Sequence, residues 1–408
     1  MVSSDRTRIP VHPNYRYPAR WSKGLIITLL ARSTQRGVVG LQFEDEIVDI
    51  GRGEYVCTIA PPTLGRFVGL LLKPDYRLAS YYTAGYWCCE KKKLYSFLEM
   101  LRTERQSPLR RWARLFSKHP IRDRIVYRLF PLKVKKNIAL HYNTSPEFMK
   151  LILGDGLEYT CAFFDDGHAS LVSAQENKVN LTASRLAISS DHRVLDVGCG
   201  WGQIAEAIAR KTGAEVTGVN LSTGQIEYAK ANQSSERLSF ILSDYEALTS
   251  EKKFDRIYSI GMLEHVGKGH LGGYFRKVRS LLVPKGLALV HSIVRERPES
   301  TNSWLDAEVF PGGHIPQLSE IVAHIERARL RILQIFVHDR INYYFTLMAW
   351  VDNFYNNEIE LRQILASRVP MDDISTIMNI WEFYLCSSRL SFEEESGDSF
   401  IVQLVLQA

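Results

Sequence analysis

No apolar run in this sequence is long enough to span a membrane. The most apolar stretch, Gly24-Leu-Ile-Ile-Thr-Leu-Leu-Ala31, stops well short of the ~20 residues a spanning helix needs. The early Pro10 and Pro13 interrupt any signal-peptide core, and no small-residue cleavage site follows, so no signal peptide is expected. Cysteine is sparse: Cys57, Cys88, Cys89, Cys161, Cys199 and Cys386 are scattered without metal-ligand spacing. That excludes a zinc module and a disulfide framework, and points to a reducing, cytoplasmic compartment with no metal. Internal repeats and low-complexity tracts are absent, which excludes a solenoid. Excess charge is also small, with 51 Lys+Arg against 45 Asp+Glu.

The distribution of that charge is uneven. Residues 1–140 hold 26 Lys+Arg against 11 Asp+Glu, whereas the remainder holds 25 against 34. A basic front and an acidic back select an anionic partner at one end only, either nucleic acid or an anionic membrane. Residues 101–140 concentrate the effect, with 12 Lys+Arg and 2 Asp+Glu. After Ser107-Pro108, a cap-like start, Leu109, Trp112, Leu115 and Phe116 share one helical face ringed by Arg110, Arg111, Arg114 and Lys118. Such a helix lies in a membrane interface, or it packs its apolar face on the protein as a linker. The aromatic face favours membrane over nucleic acid.

What the sequence does have is a glycine turn around which the back two thirds is arranged, Arg193-Val-Leu-Asp-Val-Gly-Cys-Gly-Trp-Gly-Gln203. Val194, Leu195 and Val197 suit a buried parallel strand, and a helix follows from Ile204. Between them stand Asp196, Gly198, Gly200 and Gly202. Glycines at a strand-to-helix turn let backbone approach a bulky ligand, because no Cβ intervenes. The spacing is G-x-G-x-G, not the G-x-G-x-x-G of dinucleotide enzymes, and with Asp196 before it the turn resembles the S-adenosylmethionine loop of Rossmann-like methyltransferases.

The order of patterns gives the organisation. Residues 1–105 read as a small α+β domain, with strands at Val38–Phe43 and Tyr55–Ile59 and a helix at Leu64–Leu72. Residues 106–137 form the basic amphipathic linker, and 138–408 an α/β domain. In the latter, strands are expected at 193–197, 215–220, 238–242, 254–260 and 286–293, separated by helical patterns. That alternation predicts a doubly wound, mostly parallel sheet. Two late strands, Arg331–Val337 and Phe400–Leu406, bracket a helical insertion from about 343 to 388. The sheet is then mixed and seven-stranded.

Ligands of such sheets sit at the carboxyl ends of the strands. Those ends carry Asp196 to Gly202, Asn220, Asp244-Tyr245, Gly261 to His265 and His291 to Ile293. Asn220 stands where an acid usually holds ribose, and Tyr245 is placed to stack on adenine. Asn220, Gln225 and Tyr245 also read as ordinary loop or cap residues. Glu264 reads as a cleft carboxylate or a helix cap, and His291 as a catalytic or a core histidine. Cys161 alone reads as a buried apolar side chain.

Taken together, the segments are more specific. His141-Tyr-Asn143, Tyr159-Thr-Cys-Ala-Phe-Phe164, Leu195-Asp-Val-Gly-Cys-Gly-Trp-Gly202, Gly261-Met-Leu-Glu-His-Val-Gly267, His291-Ser-Ile293 and Tyr343-Tyr-Phe-Thr-Leu-Met-Ala-Trp350 occur in this order. The chain resembles the cyclopropane-fatty-acyl-phospholipid synthases and the related mycolic acid cyclopropane synthases, from about residue 20 to 408. The resemblance implies a Rossmann-like class I methyltransferase fold and a small lipid-binding front domain. It implies transfer of a methylene group from S-adenosylmethionine to a cis double bond of a membrane phospholipid, by methyl transfer, a carbocation and deprotonation. Bicarbonate is the implied base, held by Cys161, Glu264, His291, Ile293 and Tyr343. Tyr159, Thr160, Gly198, Gly200, Asn220, Leu221, Gln225 and Tyr245 match cofactor-contacting positions, and Asp196 and Asp244, at the strand ends, are expected to bind the cofactor as well. A homodimer, peripheral on the inner face of the membrane, is implied as well. Cys386 is out of register with the family's late cysteine, and Asn143 and Thr160 replace its commoner Asp and Ser. A relative that methylates acyl carbon without ring closure, or an amine nitrogen, shares this pattern.

Overall fold

The computed structural model describes residues 6–31, 34, 37–103, 145–164, 170–249, 253–297, 303–394 and 397–408. The basic segment 106–137 and His141-Tyr-Asn143 lie outside the described residues. The chain divides into two compact units. One comprises residues 1–138, 302–309 and 358–390, and the other 139–301, 310–357 and 391–408.

The first unit holds a four-stranded sheet of order β2-β1-β3-β4, with β1 Gly37–Gln42, β2 Ile47–Arg52, β3 Tyr55–Ala60 and β4 Cys88–Cys89. Val39 and Leu41 bury the same face of β1, as the period of two requires. Helices Leu64–Leu72, Pro74–Thr83 and Leu94–Thr103 follow the third strand. The later segments join this unit through specific contacts. Tyr82 Oη donates to Glu382 Oε2 at 2.6 Å, Tyr76 Oη donates to Glu308 at 3.1 Å, and Arg102 donates to the Leu390 carbonyl at 2.7 Å. The Tyr82 and Trp304 rings both pack on Phe383.

The second unit is built on a seven-stranded sheet of order β10-β11-β9-β8-β5-β6-β7. The strands are β5 Arg193–Val197, β6 Glu215–Asn220, β7 Leu238–Leu242, β8 Phe254–Ile260, β9 Leu282–Arg295, β10 Arg331–His338 and β11 Ser399–Gln407. From β9 to β7 all pairings are parallel, and β11 is antiparallel to both neighbours. Alternation along β5 serves two cores. Leu195 and Val197 join Tyr274, Phe275 and Ile321 on one face, and Val194 joins Ile208, Val216 and Ile226 on the other. Each fully buried aliphatic side chain contributes about 1.5–3 kcal/mol. The chain reverses its sheet direction between β5 and β8, which fixes a crevice at the carboxyl ends of those strands. Among the described residues, no helix is long and apolar enough to cross a membrane.

Candidate active site

The glycine turn is tied down where it leaves β5. Gly198 N–H and Cys199 N–H both donate to the Val219 carbonyl at 2.9 and 3.1 Å, so the loop folds back over β6. Gly202, at φ 86°, opens the helix Gln203–Thr212. The three glycines have different reasons to lack a Cβ. A Cβ on Gly198 would meet Met262 Cγ at 2.6 Å, and one on Gly202 would meet Phe240 at 2.7 Å. On Gly200, at φ 54°, it would meet nothing within 4 Å. That empty space is a cavity of about 250 Å³.

Tyr159, Thr160, Gly198, Gly200, Asn220, Leu221, Gln225 and Tyr245 all line this cavity. Asn220 organises its floor. Its amide donates to Gln225 Oε1 at 2.7 Å and to the Gly200 carbonyl at 3.3 Å, while its Oδ1 accepts from Leu221 N–H at 2.8 Å. Neither aspartate of the expected set is in the lining. Asp196 is buried below the turn, where burial pushes its carboxyl up to about 7 and the Tyr258 hydroxyl partly opposes the shift. Asp244 caps the short turn Tyr245–Ala247 by accepting from Glu246 N–H at 2.8 Å. It thereby presents Tyr245, whose ring meets Tyr274 edge-on at 5.5 Å.

A second group comes from four segments. Glu264 stands on the short helix Leu263–Val266, and its Oε1 accepts from Ile293 N–H at 2.6 Å. Its Oε2 is buried without a hydrogen-bond partner among the described residues. His291 lies two residues back on β9, and its carbonyl accepts from Gly261 N–H at 3.0 Å. Phe163 stacks on the His291 ring at 5.5 Å. The helix Ile341–Asn356 docks onto the Cys161 segment: Thr346 Oγ1 accepts from Ala162 N–H at 3.0 Å, and Asn342 Oδ1 from Phe164 N–H at 2.7 Å. Between these two residues Tyr343 packs on Phe392, with ring centroids 4.5 Å apart. Burial pushes the Cys161 thiol up to about 12, so it is no nucleophile. Burial, aided by Lys178, holds His291 well below its ordinary value and therefore neutral.

Lys178 carries no signal in the pattern, since a lysine in a helix normally reads as solvent-facing. Here its side chain is fully buried, paired with Glu158 at 2.7 Å and donating to Thr160 Oγ1 at 2.6 Å. Gln403 is likewise fully buried. A lone polar residue inside the apolar run Phe400–Leu406 was the available clue.

Burial raises the Glu264 carboxyl from 4.5 to about 7, opposed in part by the Ile293 N–H. The folded state therefore favours the neutral acid. Stability from this group is full below the unfolded value and is lost as pH rises toward the folded one, by about 3 kcal/mol at most. Glu264→Gln cannot ionise. Its melting midpoint should gain on the parent's from pH 5 to about 7 and hold that lead above. A difference that does not change with pH would contradict a raised Glu264.

Residues 132–402 match the family model for mycolic acid cyclopropane synthetase. The cyclopropane-fatty-acyl-phospholipid synthase of Escherichia coli K12 is 30% identical over 298 residues, covering 71% of this chain and 74% of its own. A probable fatty acid methyltransferase of Pseudomonas putida is 32% identical over 267 residues, covering 63% of this chain and 66% of its own length. A similar protein of Mycobacterium tuberculosis is matched over 59% of its length. Among solved structures, mycolic acid cyclopropane synthase CmaA1 complexed with SAH and CTAB superposes with a TM-score of 0.59 at 24% identity. That match covers 68% of this chain and 100% of the other, so the two share a methyltransferase fold.

Proposed function

This chain belongs to the mycolic acid cyclopropane synthetase family, and from that premise we propose that it adds a methylene group to the cis double bond of unsaturated phospholipid acyl chains. S-adenosylmethionine supplies the electrophilic methyl. Gly200 leaves room for it, Asn220 and Gln225 offer amide groups to its hydroxyls, and Tyr245 offers a ring to its adenine. The observation that carries the reading is Glu264, fixed at Ile293 with one carboxyl oxygen buried and unpartnered. Burial raises its carboxyl to about 7 and so favours the protonated acid, which can donate to a small oxyanion.

A bicarbonate ion fits that donor set, and when bound it would supply the acceptor for the proton lost on ring closure. Glu264 would orient it, with His291, Tyr343 and the backbone around Cys161 and Ile293 completing the enclosure. Aromatic side chains suit the positive charge that develops on the acyl chain, since their faces attract cations in a dry site. Phe164, Phe345 and Tyr344 form a run of edge-on pairs 5.7–5.8 Å apart. On this reading the front unit and the basic segment 106–137 bring the enzyme, as a homodimer, to the inner face of an anionic membrane.

A methyl-branched chain is the second reading, favoured by the fatty acid methyltransferases among the relatives. Both are tested by incubating the full chain with methyl-labelled S-adenosylmethionine and vesicles of unsaturated phosphatidylglycerol, followed by mass spectrometry of the acyl chains. A ring product retains two fewer hydrogens than a saturated methyl branch. Label in a ring supports the proposal, and label in a branch supports the second reading. Label confined to an amine headgroup or absent from lipid refutes both.

A further inference from the structure

We propose that Gln403 is a positioning residue that fixes His291 as its Nε2–H tautomer, with Arg185 fixing Gln403 in turn. Arg185 Nη1 faces Gln403 Oε1, and Gln403 Nε2 lies 3.3 Å from His291 Nδ1. Which amide atom is oxygen and which is nitrogen follows from chemistry. A guanidinium only donates, so the amide atom facing it must be the oxygen. The NH2 group is then the atom that faces His291, and it too only donates. Nδ1 must therefore carry a lone pair, and the single proton of the neutral ring sits on Nε2.

The surroundings hold this chain of bonds in one direction. Arg185 lies over the Phe336 ring at 3.8 Å, and the same Nη1 approaches His338 Nε2 at 2.9 Å. His338 is driven down to about 4 by burial and by Arg185, so it stays neutral and accepts. The Phe163 ring lies between the two histidines, stacked on His338 at 3.9 Å and on His291 at 5.5 Å. Gln403 is fully buried on β11, opposite His291 in the β9–β11 register, so water cannot substitute for either amide bond.

The consequence for the chemistry rests on the function proposed above. An Nε2–H imidazole whose other nitrogen is occupied donates a hydrogen bond and does not accept the proton released on ring closure. His291 therefore holds the oxyanion and is not the base.

Nitrogen-15 NMR of the full chain with labelled histidine tests the tautomer, with the His291 signals identified by their loss in His291→Gln. The parent protein should show a protonated Nε2 and an unprotonated Nδ1. Gln403→Glu has the same shape but only accepts, so it should move the proton to Nδ1 or charge the ring. Turnover should then fall by about 100-fold or more, as a wrong tautomer does in a serine-protease triad, with S-adenosylmethionine affinity within about threefold. A parent protein protonated on Nδ1 overturns the proposal, and so does a Gln403→Glu protein that keeps the parent's tautomer. The ring signals decide this whether or not the protein makes a cyclopropane. If they agree while no ring product forms, it is the functional reading that falls.

Discussion

Glu264→Ala is expected to bind S-adenosylmethionine as the parent protein does and to form cyclopropane roughly 30- to 1,000-fold more slowly. The carboxyl is not in the lining of the cofactor cavity, so binding should survive its loss. Its Oε1 accepts from Ile293 N–H, and its Oε2 is buried with no hydrogen-bond partner among the described residues. Removing a charged hydrogen-bond partner at a site of developing charge costs on the order of 2–4 kcal/mol, or roughly 30- to 1,000-fold in rate. Truncation also leaves Ile293 N–H without an acceptor, which costs about 1–3 kcal/mol of stability. Glu264→Gln separates the two effects, because its amide oxygen still accepts from Ile293. It should fold as well as the parent and remain severely impaired. Product formation by Glu264→Ala at the parent rate, measured by acyl-chain analysis on folded protein, would remove Glu264 from the mechanism.

The second large effect is on binding. Gly200→Val should reduce S-adenosylmethionine affinity below detection in calorimetry. Gly200 lines the cavity, and a Cβ there enters open space. The side chain would thus occupy ligand volume without displacing protein. At φ 54° a non-glycine residue costs about 1–2 kcal/mol of backbone strain, so the fold should weaken but persist. Gly202 is the contrast: a Cβ there would press on Phe240 and Ala229 at 2.7–2.9 Å, and the damage would reach the core. Retention of binding within about threefold by a folded Gly200→Val protein would show that the ligand does not approach this glycine.

The strand pattern of the second unit was legible because each strand is an apolar run ending in a turn, and the ends fixed the crevice. The eight positions that the family resemblance assigns to the cofactor line one cavity, with Tyr159 and Thr160 reaching it from the segment before β5 rather than from a strand end. Strand β2 was not read, because Asp49 and Gly51 interrupt its apolar alternation. The buried Lys178 and Gln403 were missed on a related ground: polarity in sequence is read as exposure, whereas a charge or amide inside a core needs only a partner there. Asp196 and Asp244 are expected to bind the cofactor from their places at the ends of β5 and β7; both lie outside the cavity lining, Asp196 buried under the turn and Asp244 capping Tyr245–Ala247. Neither the grouping of residues 302–309 and 358–390 with the front unit nor the Arg185–Gln403–His291 chain of bonds has a local signature.

That discontinuous grouping bears on how such genes can recombine. A single crossover near residue 138 would transplant a front unit stripped of Glu308, Glu382, Phe383 and Leu390. The hydroxyls of Tyr76 and Tyr82, the ring face of Tyr82 and the guanidinium of Arg102 would then meet a foreign helix or none. Shuffling of front halves between relatives should therefore be rare, and inheritance of the two units joint. The segments that build the first unit would drift together, so that a substitution at Tyr82 is compensated some 300 residues downstream in the same reading frame.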